Sequence, residues 1–218
     1  IVLVVIGILT ALQINNWNEL KKVRAVELET LKDLKAEIEQ NILVFEDHLN
    51  VKRAGKSNID TYLDKLIVGT VKVDDIIAFY DDELGFGTYN PSNGVLNSVI
   101  NSGNINTLTN KELKYQLTSW KDALIDYQEE EIIILNRAFS YESNFENSLK
   151  PKSNIRFSDI SDKAYDEMYI KLSKSLLHRN YILEMQAIIK MIIEEGATLS
   201  DKMKHIDQLI ASEIESHK

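Results

Sequence analysis

The sequence predicts an all-α protein: an amino-terminal transmembrane helix continuing into an antiparallel bundle of about four long helices plus one or two short ones. Three observations point there. Only 8 of the 218 residues are Gly and 2 are Pro, so little interrupts a helix. Apolar residues recur at three- and four-residue steps over long stretches, the pattern of helices that bury one face. The opening run, Ile1 to Asn18, carries no charge at all.

Residues 1–18 are therefore expected to be a membrane anchor and residues 19–218 a helical bundle domain. A span needs roughly 20 apolar residues to cross about 30 Å of hydrocarbon. Ile1 to Leu12 rises only about 18 Å at 1.5 Å per residue. Because the chain opens with Ile rather than Met, the expected span continues upstream of Ile1. Trp17, beside Gln13, Asn15 and Asn16, suits an interfacial anchor. Gly7 and Ala11, four apart, form a candidate face for association with a second membrane helix. A buried core helix is one alternative for the same run; the tail of a signal peptide is the other, although no small-x-small cleavage site follows it.

From Leu20 an apolar stripe runs through Leu28, Leu31, Leu34, Ile38, Ile42, Phe45 and Leu49. It predicts one face of a long helix packed in a bundle, with a coiled-coil stalk as the rival. The pattern blurs at Arg53-Ala54-Gly55-Lys56, which reads either as a weak turn within one helix or as a break. Ile59, Leu63, Leu66 and Ile67 resume it, and Gly69 closes it. A short helix is expected around Ile76 to Leu84, ended by Gly85-Phe86-Gly87.

Ser92 is the expected N-cap of the next short helix, whose buried side is Val95, Leu96, Val99 and Ile100. Asn93, Asn97 and Asn101 share one face of it. That row is a candidate polar ligand face, or else a solvated or capping one. Thr109 and Glu112 fit a capping box that opens a long helix through Leu113, Leu117, Trp120, Leu124 and Tyr127 to Phe145 and Leu149. Lys150 to Asp162 is the expected loop between two helical halves. Ser161 is the expected cap of the next helix, and from about Ser173 the last long helix runs to the end, interrupted by Gly196.

Composition narrows the function classes. The net charge of −9, with no basic cluster, argues against nucleic acid as a partner. The absence of Cys removes disulfides, thiol nucleophiles and thiolate metal sites. His48, His178, His205 and His217 match no ligand spacing and read as surface or cap residues. Glu129-Glu130-Glu131 is consecutive, so its carboxylates diverge and a solvated face is expected. Asp81-Asp82-Glu83 lacks the alternation of a calcium loop, and Gly85-Phe86-Gly87 is no dinucleotide loop. No catalytic, cofactor-binding or metal-binding residue is assigned and no cofactor is expected, so an enzyme is the minority reading.

Two segments carry a resemblance: LVVIGILTALQINNWNE at the start, and YNPSNGVLNSVINSGNINTLTNKELKYQL from Tyr89 to Leu117. The chain resembles a family of uncharacterised bacterial membrane-anchored proteins, a family defined by a domain of unknown function. Thr10 departs from the usual apolar residue there. The resemblance implies a single amino-terminal span and a helical domain outside the cytoplasm, and no activity. Lys21, Lys22 and Arg24 favour the opposite orientation on their own. The localisation read from the sequence is therefore a single-pass membrane protein with a periplasmic domain, the cytoplasmic side being the alternative. The function expected is an interaction or ligand-sensing module. Its partners are the bilayer through residues 1–18 and a protein partner or further copies. The rivals are a structural, oligomerising component of an envelope assembly and an unrecognised hydrolase.

Overall fold

The fold was established from a computed structural model, which describes residues 2–81, 84–145 and 157–216, with side chains up to Tyr141 in the second stretch. Its elements are α1 (Val2–Val68), α2 (Val73–Asp81), α3 (Gly94–Asn101), a 3-10 turn (Asn104–Thr107), α4 (Lys111–Thr118), α5 (Trp120–Phe145), α6 (Asp162–Lys174) and α7 (Leu176–Ser216). The all-α class holds, and among the described residues there are three long helices, α1, α5 and α7, against the four expected. The two segments on either side of Arg53–Lys56 are one helix of 67 residues.

The transmembrane helix is corrected. Among the described residues no helix is long and apolar enough to cross a membrane. The apolar run of α1 from Val2 to Leu12 rises only about 16 Å, against about 30 Å of hydrocarbon. Gln13, Asn15, Asn16 and Asn18 then interrupt it, with Glu19 after them. The single-pass localisation and the membrane assignment fall with it.

Helix ends obey local chemistry. Gly69, with φ +72°, closes α1, and the Thr70 N–H reaches back to the Lys65 carbonyl at 3.1 Å. Ser161 Oγ accepts the Ala164 N–H and caps α6, as expected. The cap of α4 is Asn110, whose Oδ1 accepts the Leu113 N–H at 3.0 Å, and not Thr109. The long helix predicted from Thr109 is divided at Ser119 into α4 and α5. The expected loop from Lys150 falls largely outside the described residues, as do Leu149, Asp82, Glu83, His217 and the side chain of Phe145.

The chain divides into two compact units. Unit 1 comprises Ile1–Val44, Pro91–Asp122 and Ser200–Lys218. Leu31, Leu34 and Ile38 of α1, Leu96 and Val99 of α3, Leu113 and Leu117 of α4, Trp120, and Met203, Ile206 and Ile210 of α7 form its core. α3 is capped by α1: the Val95 and Leu96 N–H groups donate to the Glu37 carboxylate at 2.8 and 2.9 Å. Ser92, the expected cap, instead exchanges two backbone hydrogen bonds with the Asn41 side chain. Thr109 gives its N–H and hydroxyl to Glu27, at 2.6 and 3.0 Å.

Unit 2 comprises Phe45–Asn90 and Ala123–Leu199. Within it α7 runs against α1, as Leu49 meets Gly196, Asp60 meets Gln186 and Tyr62 meets His178. α5 runs with α1, as Phe45 meets Tyr127 and Lys52 meets Glu131. Gly55 lies inside α1 because a methyl group there would overlap the Leu84 carbonyl. Gly85, with φ +72°, has its own methyl position 3.0 Å from the Lys52 Cα. The two glycines let the segment after α2 lie directly on the backbone of α1.

Candidate functional site

The residues singled out in the sequence occupy three kinds of place. Asn93 stands at the N-cap of α3 and its Oδ1 accepts the Trp120 indole N–H at 2.9 Å. Asn97 and Asn101 are exposed. Gly7 and Ala11 are exposed, with nothing within 4 Å of the position a Gly7 Cβ would take. Trp17 is exposed too, and the Lys21 ammonium sits 3.6 Å from the centre of its ring.

These last residues belong to a larger feature. Every residue from Val2 to Val26 is exposed, and cover begins only at Glu27. The stretch includes Leu3 at 84 %, Leu9 at 56 % and Leu20 at 61 %. Isolated exposed apolar residues are ordinary, whereas Val2–Leu12 is a continuous apolar run with no cover.

Unit 2 holds two buried polar networks that the sequence did not disclose. In the first, the Lys52 ammonium donates to the carbonyls of Gly85 and Gly87, each at 2.9 Å, and pairs with Glu131 Oε1 at 2.8 Å. His48 Nε2 lies 2.6 Å from the same carboxylate oxygen, and Glu131 Oε2 accepts the Tyr89 N–H at 2.7 Å. Burial raises the Glu131 carboxyl, but the hydrogen bonds from His48 and Lys52 outweigh it and hold the group below its ordinary value. Burial pulls the Lys52 amine below its ordinary value, partly offset by Glu131. Glu131 is thus the wholly buried member of a run expected to be solvated.

The second network centres on His178, also wholly buried rather than at the surface. Its Nε2 lies 2.9 Å from the Tyr62 hydroxyl. Its Nδ1 lies 2.8 Å from the Tyr141 hydroxyl and 3.3 Å from that of Tyr80. Burial pushes the Tyr62 and Tyr80 phenols well above their usual range, so both stay neutral. α1, α2, α5 and α7 each give this cluster one side chain. A signal for both networks was present: Lys52, Glu131 and His178 stand in register with the apolar stripes of their helices.

Open chemistry is sparse beside this. Among the described residues no cluster of three His, Asp or Glu side chains is placed to hold a metal ion. A cavity of about 120 Å³ touches Tyr62, Lys65, Asp75 and Phe79. It is well under the roughly 300 Å³ at which small-molecule sites begin, and a larger opening of about 440 Å³ lies along α6 alone, lined by Lys163, Asp166, Glu167, Ile170, Lys171 and Lys174.

A family profile matches residues 1–172, that of the family of unknown function DUF6090. The chain belongs to this family. The DUF6090 match takes in α1 to α5 and most of α6, and it stops before α7. It therefore includes Lys52, Glu131 and three phenols of the second network, but not His178. The match carries neither a membrane anchor nor a bacterial source. No curated protein and no solved structure matches the chain.

Proposed function

We propose that this DUF6090 chain is a helical interaction module that assembles with copies of itself through the first part of α1. The exposure of Val2–Val26 carries this reading. A helix that is apolar all round belongs inside something. One neighbouring helix covers one stripe, whereas Val2–Leu12 presents apolar side chains on every face. Its cover must come from more than one side. A ring of identical helices gives each copy two neighbours and requires no second protein. Gly7 and Ala11 supply a face where backbones can approach closely. The charged residues from Glu19 onward stay at the wet rim.

Sedimentation of the intact chain over a range of concentrations tests this. The expected result is a species of at least three copies that collapses to single chains in an Ile6→Lys, Leu9→Lys variant. A single-chain mass for the intact protein at every concentration overturns self-assembly.

A further inference from the structure

The hydrogen bonds of the buried His178 cluster depend on proton count. A neutral imidazole has one N–H donor and one bare acceptor nitrogen, and each phenol has a single proton. With Tyr62 on Nε2 and Tyr141 on Nδ1, a neutral ring sorts the protons into one continuous chain. One phenol donates to the ring, and the ring donates to the other. Tyr80, hydrogen-bonded to Tyr141, extends that chain.

A proton added to the ring makes both nitrogens donors. The phenol that had donated to the ring must then accept, and its own O–H must turn away from the ring. The new charge is wholly buried. It also sits in the first turn of α7, where the Ser175 hydroxyl accepts the His178 N–H and the helix dipole opposes a cation. Among the described residues, the charged and ionisable groups facing the cluster include Tyr62 from α1, Asp75 and Tyr80 from α2, Tyr141 from α5, and Arg179 and Tyr181 from α7.

We propose that His178 and its three tyrosines form a proton-operated latch in unit 2: taking up one proton at His178 releases α2 and the start of α7. Once open, His178 titrates near the ordinary histidine value of about 6.5. The open state binds more protons than the closed one, so the latch weakens as pH falls below that value.

Amide hydrogen exchange on the intact chain between about pH 7.5 and 5, corrected for intrinsic rates, brackets that value. The peptides carrying Tyr80 and His178 should lose protection about tenfold per pH unit below ~6.5, the slope of one proton. His178→Gln, whose amide still donates and accepts, should be flat, while His48→Gln should keep the slope. A flat wild type, or an unchanged slope in His178→Gln, overturns the latch. Should His178→Gln fail to fold, nitrogen-15 spectra of the wild-type histidines decide. The latch requires His178 to stay neutral in the closed form. A His178 that becomes charged near pH 6.5 while the same peptides keep their protection overturns it.

Discussion

Glu37 in unit 1 and Glu131 in unit 2 are both carboxylates held inside a helical core, and each secures a segment that the chain inserts between α1 and α5. Glu37 does so with peptide dipoles: it receives the N–H groups that open α3. Glu131 does so with a counter-ion, Lys52, which in turn holds the carbonyls of Gly85 and Gly87. The difference concerns what remains when one partner is lost. Removing Glu37 leaves neutral N–H groups that water can reach by fraying one short helix. Removing Glu131 leaves a cation in a dry place, and desolvation sets the penalty.

The comparison breaks most sharply at Lys52 and Glu131. Glu131→Ala should cost about 3–5 kcal/mol, the range for stranding one member of a buried pair. The Lys52→Met, Glu131→Gln double variant should recover much of that in urea titrations monitored by circular dichroism. Glu131 also has an acid signature. Its folded carboxyl titrates below its ordinary value of 4.5, so its contribution is complete only above that value and is lost as pH falls through the depressed one. That window lies below the histidine window of the latch, and Glu131→Gln should flatten it alone.

Gly55→Ala tests the seat of the same segment. Its methyl group meets a backbone carbonyl, which cannot swing away, so a loss near the upper end of about 1–3 kcal/mol is expected in the same titration. In unit 1, Glu37→Ala should cost about 2 kcal/mol, the scale of hydrogen bonds to a charged group. Exchange should rise first at Val95 and Leu96, and a loss as large as that of Glu131→Ala would erase the distinction between the units. The smallest effect is at the start of α4. Asn110→Ala should cost about 1 kcal/mol as a lost cap.

Features set by neighbouring residues were legible. The α1 stripe, the closing Gly69 and the Ser161 cap depend on spacing or on one side chain and the next turn. Features decided across the chain were not. Thr109 and Asn110 are both good caps, and Glu112 stands where a box on Thr109 would want it. Thr109 is instead claimed by Glu27, which is 82 positions away. Gly55 left a turn within one helix and a break equally open, because its partner is the backbone of Leu84, invisible to any local pattern. The candidate site suffered most. Glu131 sits in a triplet that looks solvated, and only its register with Tyr127 and Ile134 points inward. His178 matched no ligand spacing because its partners are phenols on three other helices. The run at the start was legible as apolar but not in what it faces.

One consequence comes free of any engineering. The chain has two tryptophans, and both belong to unit 1. Trp17 is 57 % exposed on the uncovered part of α1, and Trp120 is 1 % exposed in the core. Their emission should therefore separate by colour and by access to iodide. Assembly should shift the Trp17 component to the blue and shield it from the quencher. Unfolding of unit 1 should shift the Trp120 component to the red. Unit 2 contributes only tyrosine light, so the protein carries its own two-channel dye, and the latch must be watched by other means.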